Sequence, residues 1–182
     1  MTLEFTASYL EDALPLFRHF KKLADGAMAQ VTDEQLYALI DEDANSIAII
    51  MKHMAGNMQS RWTNFLTSDG EKSTRNRDSE FLEPPATRAG LMQMWEQGWD
   101  CLFTTLNTLS EADLTRPITI RGERHSVLQA IHRQVAHNSY HCGQIVLLAK
   151  HFQHGQWRTL SVAKGRSAEF NRKVLAGEAS QR

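Results

Sequence analysis

His137 and His141 stand four residues apart in a segment with helical periodicity, so their imidazoles stack on one face and can chelate a single ion. A third histidine, His53, falls on the flank of another apolar helical stripe, Ile50-Met54-Met58-Phe65, with Asn57 one turn further along. Three imidazoles meet the count of a zinc-type catalytic site, in which three protein ligands leave one position for water. Neutral imidazole nitrogen suits zinc, nickel, copper or ferrous iron. Each ring's other nitrogen then needs a hydrogen-bond partner, and Asn57, Gln134 and Asn138 are the candidates. An ion with open positions acidifies a bound water or thiol and polarises a carbonyl, which brings hydrolysis and thiol transfer within reach. A histidine pair at this spacing also occurs on exposed helix faces, so spacing alone leaves both readings open. His132 lies about 140° around the helix from His137 and should point elsewhere. His19, His125, His151 and His154 read as surface or capping groups.

The elements that must position these histidines are helical. Four long segments carry helical rather than alternating periodicity, which predicts an all-α fold. The first spans roughly residues 4–28, with Leu10, Leu14, Phe17, Leu23 and Ala27 on one face, Pro15 as a kink and Asp25-Gly26 marking the end. Thr32 to Gln35 has the spacing of a capping box and opens a short helical turn. The second long helix is expected over about 45–66. The third is expected from Thr87 to about Leu109, where Leu91, Trp95, Trp99, Leu102 and Leu106 form a core stripe. Ser126 to Gln129 repeats the capping box and opens the fourth, which continues to about His151. Residues 117–124 read as a small hairpin before it, and the extension over 153–182 holds Trp157 and a short helix capped by Ser167.

Between the second and third helices, residues 67–86 form a mostly polar connection far longer than the ~4–6 residues usual in compact domains. Arg75 and Arg77, with Lys72 nearby and Arg61 on the second helix, can clamp the carboxylates of an acidic substrate. The interleaved Asp69, Glu71, Asp78 and Glu80 describe a solvated, charge-balanced loop equally well. Met51, Met54 and Met58 read as core filling, and Trp62 and Trp157 as packing residues. No glycine-serine-glycine elbow exists to place a serine nucleophile.

The 182 residues, 42% apolar and 23% charged with only four prolines, suffice for one domain over 1–182. A net charge of -1 gives no footprint for nucleic acid or anionic lipid, which leaves small molecules as the expected partners. No run approaches the ~20 apolar residues of a membrane span. Glu4, Glu11 and Asp12 occupy the start where a signal peptide is basic and then apolar, so a cytoplasmic location is expected. Cys101 and Cys142 form no disulfide or zinc-knuckle spacing, and Cys142 falls on the apolar side of its helix.

His53 within Lys52-His53-Met54-Ala55-Gly56-Asn57, joined to the His137/His141 pair, resembles the metal triad of the DinB/YfiT-like superfamily. Ser60-Arg61-Trp62-Thr63, Asp69-Gly70-Glu71-Lys72, Arg75 to Phe81, Gly143-Gln144-Ile145 and the stretch from Trp157 to Asn171 resemble an uncharacterised branch of it. The resemblance covers nearly the whole chain. It implies a four-helix bundle with a metal pocket towards one end, holding nickel, zinc or iron. It also implies homodimers and, by analogy with some relatives, transfer of a low-molecular-weight thiol or thiol-dependent isomerisation. The contrasting reading is a noncatalytic, stress-related metal-binding or dimeric interaction protein.

Overall fold

The computed structural model describes residues 8–180. It is mostly helical, as the periodicity predicts, with α1 (Tyr9–Met28), α2 (Asp33–Tyr37), α3 (Ile47–Trp62), α4 (Arg88–Thr108), α5 (Val127–Phe152) and α6 (Ser167–Leu175). A two-stranded antiparallel sheet, β1 (Pro117–Ile120) and β2 (Glu123–Ser126), sits between α4 and α5 in the chain. The helices start where a hydroxyl can satisfy free backbone N–H groups: Ser8, Thr32, Ser46, Thr87 and Ser126 each accept from the third residue beyond. At Ser8, Thr32 and Ser126 the box closes, with Glu11, Gln35 and Gln129 reaching back to the cap.

Several boundaries differ from the periodicity. Residues 4–7 of the first predicted helix lie outside the described residues, and Asp25-Gly26 sits within the last turn of α1 rather than ending it. The reason is tertiary: Asp25 accepts from Lys21 and from the Trp95 indole at 2.8 Å, so it serves packing and not a turn. α3 is shorter than 45–66, because Ser46 caps its start and the chain leaves helical dihedrals after Trp62, with Asn64 at φ 49°. α6 begins at Ser167, so Arg166, which makes no side-chain cap, holds the cap position assigned to Ser167.

α3 packs on α4 and α5, while α1 packs on α5 and α4. Their shared core is aromatic and sulfur-rich: Phe17, Met51, Met54, Met58, Trp62, Trp95 and Trp99 are all fully buried. The predicted α4 stripe, Leu91, Trp95, Trp99, Leu102 and Leu106, faces inward without exception. Burial of such side chains contributes roughly 1.5–3 kcal/mol each. α3 and α4 approach closely because Gly98 has no side chain; a Cβ there would stand 2.7 Å from the Ala55 Cα. That approach sets the position of the helix carrying His53.

The hairpin is closed by Arg121 and Gly122, with φ of 56° and 76°, the left-handed pair of a type I′ turn. Its tip is tied to the long connection through Asp69, whose carboxylate accepts from the backbone N–H groups of Glu71, Arg121 and Gly122 at 2.7–2.8 Å. The Gly70 N–H adds a bond to the Thr119 carbonyl at 2.8 Å. The loop over 67–86 is therefore fastened, not solvated throughout, and it carries a 3-10 turn, Asp78–Phe81. No described helix is long and apolar enough to cross a membrane.

The backbone donors of Glu71 and Gly122 push the Asp69 carboxyl down to about 2. An unfolded aspartate titrates near ~3.9, so the charged clasp stabilises the fold fully above that pH and is lost as pH falls towards about 2. Asp69→Asn is expected to be less stable than wild type at neutral pH, with the gap closing on acidification across that window. Urea unfolding at stepped pH measures it, and a gap independent of pH would contradict the clasp.

Candidate metal centre

His53 comes from α3 and His137 and His141 from α5, and the packing of those helices brings one ring nitrogen of each within 4.8 Å of the others. The pair thus faces α3, which supplies the third member. His53 is 5% exposed, and the other two are half-buried at the mouth of a cavity of about 470 Å³. His132 is exposed with its ring edge on Tyr9, while His19, His151 and His154 are at the surface.

Hydrogen bonds orient two of the three rings. An ionised carboxylate only accepts, so the 2.8 Å contact between Glu80 Oε2 and His53 Nδ1 keeps the His53 proton on Nδ1 and turns the Nε2 lone pair inward. Gln144, one turn beyond His141, takes its Nδ1 at 2.7 Å through the amide oxygen and leaves Nε2 free in the same sense. The Nε2 atoms of His53 and His137 then face one another at 3.0 Å. With a lone pair on the His53 side, a proton or a cation must lie between them. His137 Nδ1 is buried with no hydrogen-bond partner among the described residues. Two nitrogens bound to one tetrahedral zinc at ~2.0–2.1 Å stand ~3.3 Å apart, so the donors present fit a divalent ion.

Charge in the site favours neutral donors. Burial, then the proximity of His141 and His53, pushes His137 down to about 3. Burial also lowers His141, against the bond to Gln144. Burial opposes ionisation of Glu80, yet its bonds to His53 and Arg75 outweigh that and hold its carboxyl below the usual range. Arg75 grips Glu80 with two parallel bonds, Nε to Oε1 at 2.7 Å and Nη2 to Oε2 at 2.8 Å, and spends Nη1 on Glu71 at 2.8 Å. Of the two readings the sequence left open for Arg75, its bonds are those of charge balance within the loop. Arg77 lies over the Phe81 ring at 4.9 Å, and Phe81 packs at a tilt of 30° against His53, with ring centroids 4.6 Å apart.

The partners expected for the imidazoles are placed otherwise. Asn57 and Gln134 line the cavity, but Gln134 donates to Asn57 at 3.2 Å and to Asn138 at 2.7 Å while accepting from the Trp62 indole. Asn138 is fully buried in that network. The bonds that fix ring orientation come from Glu80 and Gln144. Gln144 was legible from helical spacing to His141. Glu80 lies 27 residues from His53, and its only trace in the sequence is Gly56, a glycine inside a helix. A Cβ on Gly56 would meet Glu80 Oε1 at 2.6 Å, so the bare backbone there is the seat of the carboxylate.

The profile of a family described as "Protein of unknown function (DUF1572)" matches residues 4–166. No curated protein and no solved structure matches the chain.

Glu80→Ala should destabilise the protein by the order of 3 kcal/mol, because it strips a buried guanidinium and a buried imidazole of their shared partner. Adding Arg75→Met should recover part of that loss. Denaturant unfolding of both single variants and the pair gives the coupling, and strictly additive losses would show that the ion pair does not organise the loop.

Proposed function

The chain belongs to that family, and we propose that it is a DinB/YfiT-like four-helix bundle of α1, α3, α4 and α5 whose His53, His137 and His141 hold one divalent metal ion, nickel, zinc or iron, for chemistry on a small electrophile. The observation that carries this reading is the meeting of three ring nitrogens within 4.8 Å beside an open cavity. A shared proton joins two nitrogens, whereas a metal cation joins three.

When bound, such an ion lowers the pKa of a coordinated water or low-molecular-weight thiol and polarises a carbonyl, which is thiol S-transferase-like or hydrolase-like chemistry. The chain's own residues prepare for it. Glu80 and Gln144 hold the protons of His53 and His141 on Nδ1. Burial pushes His137 down to about 3 and lowers His141 as well, which favours the unprotonated donor form of both. The ionised Glu80 also strengthens His53 as a ligand through its short bond to Nδ1. Phe81 packs against the His53 ring, and Tyr140 packs edge-on against His141.

A thiol nucleophile would have to come from a second substrate. No cysteine lines the cavity among the described residues, and burial pushes the Cys142 thiol up to about 12.

Elemental analysis of purified protein should find close to one metal ion per chain. His141→Ala should lose it, and Glu80→Gln should weaken metal affinity about 10- to 100-fold with the fold retained. Full metal content in His141→Ala would refute the ligand set. Turnover of electrophiles offered with each common cellular thiol, followed with and without metal, then tests the catalytic reading.

A further inference from the structure

The cavity beside the histidines is lined by five arginines, Arg61, Arg75, Arg77, Arg121 and Arg133, and by no carboxylate among the described residues. They are not equivalent. Arg75 is neutralised by Glu80 and Glu71, Arg121 reaches Glu71 at 3.5 Å, and Arg77 lies on Phe81. The side chains of Arg61, Arg77 and Arg133 have neither an ion pair nor a hydrogen bond to another described residue, and Arg77 differs in lying on an aromatic ring. For the exposed Arg77 and Arg133, water suffices. Arg61 is different: it is 9% exposed, and its Nε is buried without a partner.

A buried guanidinium without a counter-ion is unfavourable, because lost hydration is not replaced. The fold nonetheless holds Arg61 in place. Gly70 packs on its stem so tightly that a Cβ would stand 2.8 Å from Arg61 Cδ. The next residue back, Ser60, is bonded to that same loop, donating to the Gly70 carbonyl and accepting from the Lys72 N–H. Burial, then the neighbouring Arg133 and Arg75, lowers the Arg61 pKa against the longer-range attraction of Glu71, with which Arg61 makes no ion pair.

Placement adds a length scale. His53, Asn57 and Arg61 follow one another at four-residue steps on α3, and Arg133, His137 and His141 do the same on α5. Histidines occupy one end of this double ladder and unpaired arginines the other, about 6–12 Å away along the helix axes at ~1.5 Å per residue. We propose that the cavity binds a small molecule bearing a dianionic group, a phosphoryl or a pair of carboxylates, which Arg61 and Arg133 hold so that the molecule's other end reaches the three histidines. The Arg61 and Arg133 guanidiniums together match two negative charges, and their planar forks bond oxyanions two bonds at a time. The inference names the substrate class of the proposed enzyme, but the anion-binding step itself does not require the metal.

Calorimetric titration distinguishes the two readings, using inorganic phosphate, succinate and, as monoanion control, acetate at matched ionic strength. It is run on chelator-treated protein and on metal-loaded protein. Phosphate or succinate should bind the metal-free form, with acetate much weaker. The stronger of the two tells a phosphorylated ligand from a dicarboxylate. Arg61→Met and Arg133→Gln should each weaken binding about 10- to 100-fold with metal content unchanged. Ligand-free Arg61→Met should melt no lower than wild type, since a buried unpaired cation has been removed. The proposal is overturned if neither dianion binds metal-free protein, or if both variants bind as wild type does. Dianion binding by a protein that takes up no metal would support it and sink the metal reading alone.

Discussion

One buried carboxylate organises this molecule's functional end. Glu80 accepts two bonds from Arg75 and one from His53, and each partner needs it: the guanidinium for charge balance, the imidazole for its tautomer. Such a cluster is stable only if all its members are present, since removing one leaves another buried and unpaired. Its consequences spread outward. α3 must carry glycine at position 56 to admit the carboxylate, and Lys52 must tie the backbone carbonyls of Ser79, Leu82 and Glu83 to the same helix. The connection over 67–86, long and polar, becomes a fixed wall of the cavity.

The opposite wall depends on a second fastening. Asp69 binds the hairpin tip to the loop, and Gly70 settles against Arg61, so β1 and β2 serve as a buttress for the far end of the cavity. This is why a sheet too small to be stable alone persists in a helical protein. Its strands are held by α5 at one end and by a carboxylate at the other, and Ile118 and Ile120 face the core. Along α3 and α5 the groups change in character: a donor cluster of imidazoles, an amide network of Asn57, Gln134 and Asn138 in the middle, and Arg61 and Arg133 beyond. The amides suit that middle position because they satisfy one another and the Trp62 indole without adding charge.

Local signals in the chain were enough for the helices. Capping hydroxyls, apolar stripes at helical intervals and the glycine turn are short-range features, and α4 and α5 follow them to within a residue or two. The same range covers the chelating pair, because four residues of α-helix suffice to stack His137 on His141. Gln144 also falls within it. What lies beyond is anything that depends on which groups meet across the fold. Arg75 and Glu80 look alike in sequence as two charges in a balanced loop; only packing makes one the seat of a histidine and the other its counter-ion.

The sequence by itself therefore determined the helical elements, the Thr32 and Ser126 capping boxes and the candidacy of His53, His137 and His141, since periodicity and residue chemistry are properties of the local chain. Tertiary structure alone decided that the three rings face one another, that Glu80 rather than Asn57, Gln134 or Asn138 orients His53, and that Arg61, not Arg75, is the buried cation left without a partner. The physical reason is one of range. Helical geometry is set within a turn, but pairing of buried charges is set by whichever groups are nearest once water has been excluded, however far apart they lie in the chain.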